Sequence, residues 1–119
     1  MQLQVPGTGL IGPYLLAIDV IDREVGGGNA GAYALGYIDN LGRFCITFVG
    51  SARTNLQSKL KEHVGTAQYF KFRHLLTERS AFEKECELFH DFLPIGNFLH
   101  PSRPTNHDWK CPKCRTMRT

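Results

Sequence analysis

The sequence predicts an α+β fold, a small three-stranded antiparallel sheet packed against helices. Three observations carry this expectation. Two strand-like runs, 32–38 and 43–49, flank the turn cluster Asp39-Asn40-Leu41-Gly42. Leu56, Leu60 and Val64 recur at helical spacing, and Phe82, Cys86 and Phe89 repeat that stripe on a later segment. A chain of 119 residues can bury one core of modest size without disulfides.

Residues 1–30 form an N-terminal extension whose structure the sequence does not decide, because the apolar run 15–21 suits a buried strand or a short helix. Gly26-Gly27-Gly28-Asn29 is a flexible break before the core. From Ala32 to Ile38 the chain reads as a strand, with Tyr33, Leu35 and Tyr37 on one face. Gly42 can take the positive φ of a hairpin turn, and Arg43 to Val49 returns as the second strand. The helix marked by Leu56, Leu60 and Val64 is expected to end at Gly65. Residues 68–75 alternate Phe70, Phe72 and His74 against Tyr69, Lys71 and Arg73, a third strand with one basic face. Ser80-Ala81-Phe82-Glu83 has the form of a capping box, so a second helix is expected from Ser80 to about His90. Pro94 and Gly96 stop it. The core therefore spans 31–97, followed by a basic tail, 98–119.

Charge is distributed unevenly. Arg53, Lys59, Lys61, Lys71 and Arg73 against Glu62 give residues 51–75 a charge of +4. Five basic residues against Asp108 give the tail the same +4, while 76–97 carries −3. Two basic segments around an acidic helix suit a protein that grips a polyanion beside a metal-binding carboxylate. The N-terminus lacks a basic stretch followed by an apolar one, and no apolar run approaches the roughly 20 residues of a membrane span. A cytoplasmic protein with no membrane association is expected.

Polar residues are threaded through these elements in a recognisable order. Gly31-Ala32-Tyr33 opens the first strand and Phe48-Val49-Gly50 closes the second. Lys59-x-x-x-His63 follows on the basic helix, Glu85 on the acidic one, and Asn97 in the loop beyond it. Over 31–97 this order resembles the GIY-YIG nuclease family. The resemblance implies hydrolysis of phosphodiester bonds in DNA by a tyrosine, a basic residue and a glutamate-bound Mg²⁺ or Mn²⁺. By that resemblance Tyr33 is the first tyrosine, Lys59 stands where an arginine is expected, and Glu85 is the metal ligand. His63 matches a histidine that some members carry, and Asn97 the asparagine that orders the end of the site. Phe48 replaces the tyrosine of the second motif, and Lys59 lacks the planar fork with which arginine grips phosphate. Tyr37, on the strand face of Tyr33, and Arg53, just past the second strand, are the residues placed to offset these changes.

The cysteines divide into two classes. Cys45 and Cys86 fall at positions expected to be core thiols. Cys111-Pro112-Lys113-Cys114 has the spacing of a zinc knuckle. His90 and His100 are the favoured further ligands, with His107 in reserve and Cys86 paired with His90 a weaker option. Two rival readings stand beside the nuclease. One is a catalytically degenerate nucleic-acid-binding module on the same fold, suggested by Phe48 and Lys59. The other is a zinc-stabilised module that docks a protein partner. In the nuclease reading a protein partner could supply specificity.

Overall fold

In the computed structural model, which describes residues 9–92, seven elements follow one another. They are β1 (Ile11–Leu15), α1 (Ile18–Glu24), β2 (Gly31–Ile38), β3 (Phe44–Ala52), α2 (Leu56–Glu62), β4 (Tyr69–His74) and α3 (Glu78–Phe92). The fold is α+β, and the sheet has four strands rather than three, in the order β1-β4-β2-β3 with every pair antiparallel. The extra strand comes from the segment that the sequence left undecided. Residues 9–30 join the core: β1 pairs along β4, and Leu16, Val20, Ile21 and Val25 are buried.

Alternation along β2 divides the interior into two layers. Tyr33 and Leu35 point to one face, where they pack with Ile21, Val25, Leu56, Leu60, Phe70 and Phe72 beneath α1 and α2. Ala32 and Ala34 point to the other, where with Val49 they meet Leu88 of α3. Small side chains on that face let α3 lie close to the sheet. Helices α1 and α2 are tied by the ion pair of Lys61 with Asp22 and by Gln57 Nε2 donating to the Val25 carbonyl at 2.7 Å. Among the described residues, no helix is long and apolar enough to cross a membrane.

Element ends differ from expectation in ways that shape the site. Helix α2 starts at an Asn55 cap, whose side chain accepts from the Ser58 amide at 3.1 Å, and it ends at Glu62. Val64 lies outside it, because Thr66 folds back on the His63 carbonyl through its amide at 2.9 Å and its hydroxyl at 2.6 Å. Gly65 still takes a positive φ of 98°, within that turn. Helix α3 begins two residues earlier than expected. Thr77 caps it, its hydroxyl accepting from the Ser80 amide at 3.0 Å while Ser80 Oγ accepts from the Thr77 amide at 3.2 Å. Ser80 thus closes the reciprocal box instead of opening one, and Glu83 pairs with Arg79. Cys86 is fully buried, as expected of a core thiol, but Cys45 is only half-buried, 3.7 Å from Asp39 Oδ2.

Candidate active site

The candidate site lies around β3, an edge strand covered by α2 on one face and α3 on the other. Gly50 pairs with Tyr33 across the sheet. A Cβ at Gly50 would fall on the Tyr33 ring and hydroxyl, so only glycine lets the ring lie flat over the neighbouring strand. Gly31 has a similar constraint, since a Cβ there would meet the Arg73 carbonyl and Leu56. The glycines that open the first motif and close the second are therefore required by the close approach of other atoms, chiefly the Arg73 carbonyl at Gly31 and the Tyr33 ring at Gly50.

Tyr33 is 1 % exposed, and its hydroxyl lies 2.7 Å from His63 Nε2. Helix α2 ends at Glu62 with His63 as its cap, and the imidazole turns back over the sheet. There it also packs on Phe48, with ring centroids 5.2 Å apart. Burial and the nearby Lys59 charge lower the His63 pKa from 6.5, against the opposing pull of Glu62, so the ring is neutral at pH 7. With the ring proton on Nδ1, Nε2 accepts from the Tyr33 hydroxyl. Burial raises the Tyr33 pKa, and the charges of Glu85 and Glu62 raise it further, so the phenol stays protonated.

On the other side of the strand, Ser51 Oγ donates to Glu85 Oε1 at 2.6 Å. Burial pushes the Glu85 pKa up, while the Ser51 hydroxyl and the Lys59 ammonium pull it down. Lys59 thus acts electrostatically on both His63 and Glu85, and Glu85 on Tyr33. Lys59 Nζ also lies 3.8 Å from Glu62. A cavity of about 430 Å³ opens here, lined by Ser51, Arg53, Asn55, Ser58, Lys59 and Glu62.

The structure therefore pairs Tyr33 with His63 and sets Lys59 and Glu85 within electrostatic reach of that pair, while the cavity itself is walled by Arg53 and Lys59 and not by Tyr33, His63 or Glu85. It does not bring Tyr37 to them. Four residues along a strand, at about 3.3 Å each, put it roughly 13 Å from Tyr33. Tyr37 is 47 % exposed and faces Cys45 and Asp39, and these raise its pKa. Its expected compensating role is corrected on that ground. Asn97, His100, His107, Cys111 and Cys114 lie outside the described residues. Among those described, no group of three or more His, Cys, Asp and Glu could hold a metal ion.

A hard divalent cation fits the Glu85 end. Mg²⁺ is commonly held by one or two carboxylates, with waters and substrate phosphate completing the shell. A carboxylate that burial drives toward protonation is one whose charge a cation would stabilise. Ser51 occupies Oε1, and among the described residues the second carboxylate oxygen remains for a ligand. Ser51 was not singled out from the sequence. Its position after Gly50 on a strand does place it on the opposite face from Tyr33, but nothing local names a partner 34 residues away.

No family model, curated protein or solved structure matches this chain, so its functional reading rests on the geometry and on the order of its motifs.

Proposed function

We propose that this protein is a metal-dependent endonuclease that hydrolyses phosphodiester bonds in DNA, as the GIY-YIG nucleases do. The supporting observation is the 2.7 Å Tyr33–His63 pair on one side of β3, with Glu85 close enough on the other to act electrostatically on Tyr33 and Lys59. Hydrolysis requires a deprotonated water, positive charge on the phosphate and relief of charge on the leaving oxygen. The Tyr33 hydroxyl accepts the proton of the attacking water while its own proton passes to His63 Nε2. This relay spares the site a standing tyrosinate, which burial and Glu85 both oppose. The Lys59 ammonium meets a non-bridging phosphate oxygen. Glu85 would hold Mg²⁺ or Mn²⁺, which when bound supplies Lewis-acid stabilisation of the phosphate.

Phe48 favours a second reading. It puts a ring without a hydroxyl beside His63, as a non-cleaving nucleic-acid-binding module would tolerate. A plasmid-nicking assay with Mg²⁺ and with chelator separates the two. The nuclease reading predicts Mg²⁺-dependent nicking. Salt-sensitive binding to DNA with no nicking in Mg²⁺ or Mn²⁺ would replace it with the binding module. Neither binding nor cleavage would leave protein docking as the function.

A further inference from the structure

Helix α3 faces the sheet through Leu88, which packs with Ala32, Ala34 and Val49. Cys86 and His90 each lie two residues from Leu88, about 200° around the helix axis, so both are on the side turned from the sheet. Cys86 is nevertheless 0 % exposed, and Phe82, one turn before it on the same stripe, is 4 % exposed. His90, one turn after it, has its Nε2 buried. Neither Phe82 nor Cys86 belongs to either layer of the core. The sheet does not bury this stripe, so its cover comes from the chain outside residues 9–92.

That chain also carries metal donors. Cys86 and His90, at i and i+4, are neighbours on one helix face, a spacing that lets two side chains hold one ion. They are half of a tetrahedral set. Cys111 and Cys114 extend the pattern to C-x3-H-x20-C-x2-C. Three thiolates and one imidazole are a donor set of structural zinc, which is closed by four protein ligands. Donors in a closed site are shielded from water, as the Cys86 side chain and His90 Nε2 are. The tail can reach. The 18 residues between Phe92 and Cys111 span up to roughly 60 Å, against about 22 Å for the 15 residues of α3. Residues 1–8 contain no Cys, His, Asp or Glu and offer no such donor.

We infer that Cys86, His90, Cys111 and Cys114 bind one Zn²⁺, which fastens the tail over the outer face of α3. Cys86 takes the place expected for His100. Metal binding supplies the free energy that orders the tail. Because Cys86 directly follows Glu85, the basic tail is anchored to the helix that carries the candidate carboxylate. The zinc site stands whether or not the chain cleaves DNA.

For the test, full-length protein is stripped of metal and titrated with Co²⁺, whose absorption reports tetrahedral geometry and thiolate ligation. One equivalent is expected to bind and to be displaced by Zn²⁺. Cys86→Ala should remove about a third of the thiolate charge-transfer intensity, since two sulfurs of three remain, and His100→Gln should leave it unchanged. Wild-type protein gives a second reading that misfolding of a variant cannot blur, through a thiol reagent and peptide mapping. Cys86, Cys111 and Cys114 should be protected in Zn²⁺ and become reactive together when the ion is chelated. Failure to bind Co²⁺ or Zn²⁺ would overturn the site, as would a full-strength charge-transfer band in Cys86→Ala. So would chelation that exposes Cys111 and Cys114 but leaves Cys86 protected, which would assign the cover of α3 to residues 1–8 or to a second copy of the chain.

Discussion

Tyr33, Phe48 and His63, on one side of β3, complete one another. Two rings pack on the imidazole, and the phenol and imidazole satisfy each other's polar atoms. Glu85, on the other side, is held by one serine hydroxyl in a setting whose burial disfavours its charge. The first half is built by packing and needs nothing further to be stable. The second bears a desolvated carboxylate that a bound cation would relieve. Ligand-free protein should therefore keep the Tyr33–His63 geometry, and Glu85 should be the part that responds to metal.

The largest effect is expected from Glu85→Gln. It keeps the side-chain shape and an acceptor for Ser51 but removes the charge, and should lower the single-turnover cleavage rate by about a thousandfold or more. Cleavage within tenfold of wild type would place the metal elsewhere. His63→Ala, measured in the same assay, should cost about a hundredfold, the scale of general-base catalysis, with Mg²⁺ affinity unchanged. A loss confined to Mg²⁺ affinity would show that His63 serves the carboxylate half instead.

The pH profile sharpens the comparison. In the proposed nuclease the reactive form would need Glu85 ionised and His63 neutral. The Glu85 pKa is raised from 4.5 and that of His63 lowered from 6.5, so both shifts move toward the interval between. Cleavage should rise with pH as Glu85 ionises and His63 loses its proton, with the His63 step centred below 6.5. That step is the part of the acid limb that His63→Ala removes, and finding it centred above 6.5 would contradict the lowered His63 pKa. A smaller effect follows from Ser51→Ala, which removes the donor that fixes Glu85 Oε1. Loss of such a supporting hydrogen bond typically costs about 10–100-fold in metal affinity or activity, so more Mg²⁺ should be needed for half-maximal rate. An unchanged Mg²⁺ dependence would mean that packing alone positions Glu85.

The same contrast explains what the sequence made legible. The β2–β3 hairpin and the Leu56/Leu60 stripe were readable because turn chemistry and periodicity are local signals. Two capping patterns overlap at Thr77-x-x-Ser80 and Ser80-x-x-Glu83, nothing local ranks them, and the helix takes the first. Strand β1 was hidden because Ile11 and Leu15 are both about half exposed, so no alternation marks them. It is a strand because β4 has a free edge to pair. In the site, Tyr33 and His63 followed from motif order, whereas Tyr37 was misjudged because sharing a strand face says nothing about distance along it. The Ser51–Glu85 bond depends on how α3 crosses the sheet, a long-range fact that no local pattern records.

The central claim is that the two halves act on one phosphodiester, and a double-mutant cycle between His63 and Glu85 tests it most directly. Single-turnover cleavage of plasmid DNA in Mg²⁺ would be measured for wild type, His63→Ala, Glu85→Gln and the double variant. Groups that act as a unit give strongly non-additive losses. If Glu85 holds the cation in the proposed nuclease, its loss leaves the Tyr33–His63 relay no activated phosphate to serve. The double variant is therefore expected to fall no further than Glu85→Gln alone, and losses that multiply would contradict the account.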